Sequence, residues 1–227
     1  MNKYVVEFIG TFFLVLTIGC TVISPGAQNM APLAIGAALM VMVFAGGHIS
    51  GAHYNPAVTL GVWLRGKCQT KDVIPYWISQ VLAAVIAGLV VRFFKSGSSV
   101  TSGNIATIPS LLAEFLFTFA LVYVVLHVAT ARDTAGNSFY GLAIGMTVMT
   151  GAYAVGNVSG GAFNPAVAVG LSVMGLSTWA NVWIFFLAEL VGGASAALVF
   201  GLVDPAAREV QKEISATFDA TTQPRAR

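Results

Sequence analysis

Glu7, Glu114 and Glu189 each fall inside a long apolar stretch, as does Gln80, and the triplets Asn55-Pro56-Ala57 and Asn164-Pro165-Ala166 recur 109 positions apart. Carboxylates and carboxamides in such surroundings can hold hydrogen bonds, pass a proton or bind a cation, and all three uses require a partner because the bare group is costly to bury. Bond-making chemistry has no comparable support. There is no Ser-His or Cys-His pair in matching stretches, no His-Glu-x-x-His and no Gly-Lys phosphate loop. His48, His53 and His127 are scattered without acidic neighbours, so neither a metal site nor a cofactor is expected. His53 and His127 are expected near the membrane boundaries, with no role. Cys20 and Cys68 give no disulfide framework and no metal quartet, and read as small packing residues. No residue is expected to be catalytic, and the chain is not expected to be an enzyme.

The elements that position these groups follow from composition. Of 227 residues, 57% are hydrophobic and only 9% are charged, against about 25% charged in soluble domains. With a mean hydropathy of +0.82, such a chain must face lipid over most of its surface. A formal charge of +2, with no basic cluster interleaved with aromatics, is too mild to suggest a nucleic-acid partner, and none is expected. Six apolar stretches, 4–24, 31–49, 73–94, 110–130, 139–156 and 179–203, each approach the ~20 residues a membrane-spanning helix needs. The first, with Glu7 early and five similar stretches behind it, is expected to stay as a span rather than be cleaved. Lys3, Arg65, Lys67, Lys71, Arg132, Arg208, Lys212, Arg225 and Arg227 fall on one side, and Arg92 and Lys95 on the other. Both termini are therefore expected in the cytoplasm.

Self-comparison finds a repeat. Residues 47–58 match 156–167 at an offset of 109, which also brings Gln80 onto Glu189 and Tyr76-Trp77 onto Phe185-Phe186; Glu7 and Glu114 correspond at 107. Each half holds three spans, an odd number, so the second enters the membrane from the other side as an inverted repeat. The expected organisation is one channel domain over 1–204, built from repeats near 1–95 and 108–204, and a polar tail over 205–227. Each half also carries an apolar piece too short to span, 55–64 and 164–174, about 15 Å as helix. Asn-Pro suits a helix start, with Asn as N-cap and Pro where its missing N–H is not needed. Two such half-helices from opposite faces would meet at the midplane. The Gly and Ser runs before them, Gly46-Gly47, Ser50-Gly51 and Ser159-Gly160-Gly161, suit non-helical backbone along a water-filled path.

Two Asn-Pro-Ala boxes in register within an inverted repeat, with matched Glu7 and Glu114, resemble the aquaporin (major intrinsic protein) family over nearly the whole chain. The resemblance implies an all-α membrane fold of six transmembrane helices and two re-entrant half-helices, a pore in each subunit and a homotetramer. It places Asn55 and Asn164 at the pore centre, gives Glu7 and Glu114 the task of holding the re-entrant loops, and puts Gln80 and Glu189 in the same supporting shell. His48 and its mate Asn157 are expected to line the pore, His48 on the loop. Two helix N-termini of about +0.5 charge each would face the centre. For a cation about 4 Å away at an effective dielectric near 20, the repulsion is about 4 kcal/mol.

The filter departs from the family. Where most relatives continue the second box with arginine, this chain has Val167, and the other filter positions, counted from the boxes, are Ile35, Ala152 and Gly161. All four are apolar. Valine is similar to the plant tonoplast subgroup, but Ile35 stands where that subgroup has histidine. The Asp of glycerol channels is replaced by Ala168, and Phe185-Phe186 looks closer to water channels. The expected function is passive passage of water and small neutral solutes such as ammonia, hydrogen peroxide, urea or glycerol through a wide apolar filter that excludes protons and ions. The alternative is a secondary transporter of a small solute; a purely structural, junction-forming relative is a further one. Compact loops and a short N-terminus point to a bacterial cytoplasmic membrane.

Overall fold

The computed structural model describes residues 2–204 and 206; the tail expected over 205–227 lies outside the described residues except for Ala206. Where no water reaches the backbone, its N–H and C=O groups must pair internally, and apolar sequence accordingly becomes helix. The described chain runs α1 (Asn2–Val22), α2 (Ala31–Ser50), α3 (Pro56–Leu64), α4 (Thr70–Phe94), α5 (Thr107–Ala129), α6 (Tyr140–Ser159), α7 (Pro165–Met174) and α8 (Val182–Val203), with no strand among the described residues. Single 3₁₀ turns, Gln28–Met30 and Trp179–Asn181, lead into α2 and α8. All but α3 and α7 are long and apolar enough to cross a membrane. This is the all-α membrane fold expected, with boundaries moved by at most a few residues.

The long helices are inside-out relative to those of soluble proteins. On α4, Ile74, Ile78, Leu82, Ile86 and Leu89 are exposed, while Ala83, Ala84, Ala87 and Gly88 are buried. Bulky residues meet lipid at no cost, and small ones let backbones approach. Where α2 crosses α6, a Cβ at Gly36 would lie 2.7 Å from the Gly145 carbonyl. Helix α1 packs on α2 and α4, and its repeat mate α5 packs on α6 and α8. The half-helices are exchanged: α3 lies chiefly against α8, and α7 against α4. Glycine makes both contacts possible. A Cβ at Gly193 of α8 would stand 2.7 Å from the Ala57 carbonyl, and one at Gly88 of α4 would stand 2.9 Å from Val173 of α7.

Polar clips fix the two ends. On one side Lys3 pairs with Asp72 at 2.5 Å and the Tyr4 hydroxyl donates to the same carboxylate at 2.8 Å, joining the starts of α1 and α4. On the other, Ser98 donates to the Ser24 carbonyl at 2.6 Å and the Lys95 ammonium donates to that of Pro25.

Candidate transmembrane pore

Helices α3 and α7 begin at the two Asn-Pro boxes. Asn55 Oδ1 accepts from the backbone N–H of Ala57 at 2.8 Å, and Asn164 Oδ1 from that of Ala166 at 3.0 Å, so both asparagines cap their helices as expected. The same side chains also cross over. Asn55 Nδ2 donates to the Phe163 carbonyl at 2.8 Å, and Asn164 Nδ2 donates to the Tyr54 carbonyl at 2.8 Å. The two N-termini are thereby tied tip to tip. Pro56 and Pro165 open the helices, and Ala57 and Ala166 are fully buried behind them.

The preceding loops are strained. Gly51 and Gly160 close α2 and α6 in the left-handed conformation, at φ 86° and 100°, which glycine adopts without cost. Ala52, Tyr54 and Phe163 also sit at φ 50°, a region costing a non-glycine residue on the order of 1 kcal/mol or more. Buried carboxylates hold them there. Glu7 accepts from the backbone N–H groups of His53 at 2.9 Å and Tyr54 at 2.7 Å, from Ser50 Oγ at 2.7 Å and from Gln80 Nε2 at 2.8 Å. Glu114 accepts from the N–H groups of Ala162 at 3.1 Å and Phe163 at 2.7 Å. The hydrogen bonding that the resemblance implied for these two acids is therefore present.

The two clamps differ in their outer partners. In the first half Tyr76 donates to the Ser50 carbonyl at 2.7 Å, Trp77 to that of Pro56 at 3.2 Å, and Gln80 also reaches Thr59 Oγ1 at 3.1 Å. The mates in the second half are Phe185, Phe186, Glu189 and Ala168, of which the first, second and fourth offer no side-chain donor. Glu189 is completely buried.

A cavity of about 380 Å³ leads to the paired asparagines from the end bearing Gly103 to Ile105 and Ser177. Ile35, Ala152, Gly161 and Val167 all line it, as do Asn55, Asn164 and Asn157. A larger vestibule of about 1350 Å³ opens at the opposite end, edged by Lys3, His48, Arg65, Lys67 and Arg132. His53, Val125 and Ile144 border both spaces, and so mark their junction.

Three expectations change. His48 lies in the last turn of α2 rather than on a loop, and borders the vestibule, whereas its mate Asn157 borders the outer cavity. Gly46, Gly47, Ser50 and Ser159, expected in non-helical backbone, are helical too. A Cβ at Gly46 or Gly10 would collide with the Tyr54 ring, so Gly46 supplies room rather than a break. His53, given no role and placed near a membrane boundary, is buried beside the first box, its Nδ1 3.1 Å from Thr59 Oγ1 and its ring edge-on to Tyr76. No mate pointed to it, since Ala162 occupies the equivalent position; its place between the Ser-Gly turn and the box was the available signal.

Comparison with known proteins agrees with this architecture. Residues 1–200 match the family described as Major intrinsic protein. The chain is 35% identical to Aquaporin NIP1-2 of Arabidopsis thaliana over 93% of its own length and 78% of that protein's. It is 36% identical to Glycerol uptake facilitator protein-like 6 of Lactiplantibacillus plantarum over 87% and 95% of the respective chains. The X-ray structure of the aquaglyceroporin from Plasmodium falciparum superposes with a TM-score of 0.76 at 22% identity, covering 92% of this chain and 98% of that one, which supports the fold. The chain thus belongs to the major intrinsic protein family, as an integral multi-pass membrane protein that forms a channel for water or small solutes and is not an enzyme.

Proposed function

We propose that each subunit is a passive pore for water and for small neutral solutes such as ammonia, hydrogen peroxide, urea or glycerol, with a wide apolar filter. One observation carries this reading: the four expected filter residues line a single cavity, and none of Ile35, Ala152, Gly161 and Val167 brings a charge or a side-chain donor to it. A solute passing the four filter side chains gains no side-chain hydrogen bond from them, and meets the amides of Asn55 and Asn164 in the same cavity. Each asparagine spends one Nδ2 hydrogen on the opposite loop, which leaves the second for the solute. With no filter arginine, exclusion of protons and cations falls to the α3 and α7 N-termini. The mutual bonding of those tips favours a fixed path over the moving parts of a secondary transporter.

In this reading residues 1–204 form one channel domain of two inverted repeats, Glu7, Glu114, Gln80 and Glu189 support its loops, and His48 and Asn157 line its two mouths. Four copies assemble in a bacterial cytoplasmic membrane with both termini inside, where Lys3, Arg65, Lys67 and Arg132 surround the inner vestibule. Stopped-flow light scattering on proteoliposomes, run with water, ammonia, urea, glycerol and peroxide, tests the reading. Water flux together with at least one other solute, linear in concentration, is expected; flux of water alone would overturn the wide filter.

A further inference from the structure

The two clamps pose a question of proton count. Around Glu7, a neutral carboxamide, Gln80, donates to the carboxylate. Around Glu114, the equivalent place on α8 holds a second acid. Both acids are completely buried. Neither oxygen of Glu189 has an N–H or O–H donor at hydrogen-bond geometry. Among the groups close enough to act on it are the Glu114 carboxyl and, outside that geometry, the backbone N–H of Asn164. Ionised, Glu189 would be a buried charge without a counter-charge, against a second carboxylate. A neutral carboxyl instead has one O–H donor to offer.

We propose that Glu189 carries a proton in the working channel and donates it in a hydrogen bond to the ionised Glu114, standing in for the amide of Gln80 as a positioning residue for the second re-entrant loop. The assignment of the proton follows from the donors. Glu114 receives two backbone N–H groups, one on each oxygen, which stabilise its charged form. Glu189 receives none. The loop so held ends at Asn164, whose Nδ2 bonds the Tyr54 carbonyl, so the donor on α8 reaches the pore centre through Glu114 and Phe163. A second negative charge behind Asn164 would also offset the positive helix end that repels cations. The proposal rests on the reading that Glu114 supports this loop.

Infrared spectroscopy of the full-length protein in lipid at neutral pH tests it. A protonated buried carboxyl gives a C=O stretch separate from the carboxylate bands and shifted in D₂O. That band is expected in the wild type, absent in Glu189→Gln and retained in Glu114→Gln. Glu189→Gln, which restores the donor, is expected to keep most of the water flux, and Glu189→Leu to lose it severalfold. No band in the wild type, loss of the band in Glu114→Gln, or equal loss of flux in Glu189→Gln and Glu189→Leu would each overturn the proposal. Undiminished flux in Glu114→Gln would instead overturn the loop-support reading and leave the band to decide the proton.

Discussion

Asn55 and Asn164 each donate a side-chain N–H to the carbonyl of the residue just before the other, both at 2.8 Å. Each asparagine therefore bonds on two sides: its oxygen caps its own half-helix and its nitrogen fixes the loop that leads to the opposite one. Such reciprocity makes the two boxes one unit, so changes at them are expected to be non-additive.

Asn55→Asp separates the two tasks. The aspartate keeps an oxygen for the Ala57 N–H but cannot donate to the Phe163 carbonyl, and it sets a negative charge at the α3 tip. Loss of a buried donor is expected to cost about 1–3 kcal/mol. Thermal unfolding in detergent would register that, and planar-bilayer recording should show cation conductance that the wild type lacks.

Val167→Arg restores the side chain most relatives carry. A guanidinium in the apolar cavity of about 380 Å³ is expected to lower flux of glycerol, urea and ammonia about tenfold or more while sparing water, the kind of discrimination a steric and charge barrier of about 1.4 kcal/mol or more imposes. The same vesicle panel measures it; unchanged permeability throughout would show that Val167 does not line the selective step.

Glu7→Gln should be far worse than Glu189→Gln, although both replace acid by amide. Four donors converge on the Glu7 carboxylate, and an amide would turn an N–H₂ group toward some of them. The expected loss is on the order of 3 kcal/mol, with Tyr54 released from its left-handed conformation and water flux abolished. Thermal melts and flux on the purified variants distinguish the two substitutions.

Gly193→Val tests the exchanged packing. Its Cβ would meet backbone, the Ala57 carbonyl at 2.7 Å, which cannot swing aside as a side chain can. Overpacking of about 1–3 kcal/mol is expected, seen as a lower melting temperature and reduced yield of folded channel. Gly97→Ala, with nothing within 4 Å of the added carbon, is the neutral control.

His53→Ala is expected to widen the junction between outer cavity and inner vestibule, since His53 borders both. Water flux should rise, and glycerol should gain relatively more than water. Thr59 keeps its bonds to the Asn55 carbonyl and Gln80, so the fold should survive, as circular dichroism would confirm.

The spans, half-helices and caps were legible in the sequence because each rests on a local signal: unbroken apolar length, or Asn-Pro with its fixed capping geometry. The placement of His53 and the role of Gly46 were not, because the first depends on where Thr59 and Tyr76 meet the imidazole and the second on where the Tyr54 side chain comes to rest, both matters of tertiary packing. Matching Tyr76-Trp77 to Phe185-Phe186 caught their shared aromatic bulk and missed the hydroxyl and indole N–H that only one half uses. Repeat symmetry found the positions, and departures from it hold what is particular to this channel.

The exchange of half-helices also sets a constraint on biosynthesis. Helix α3 is nine residues long and lies chiefly against α8, the last long helix in chain order among the described residues. Until then a strained loop and a helix too short to span have no lasting place in lipid. The first half must be held, by the translocon or by the Glu7 clamp and the bonds of Trp77 and Gln80 to α3, through the synthesis of roughly half the chain. The pore is therefore completed only once α8 has been made, and two separately expressed halves should each be degraded alone yet rescue one another when made together.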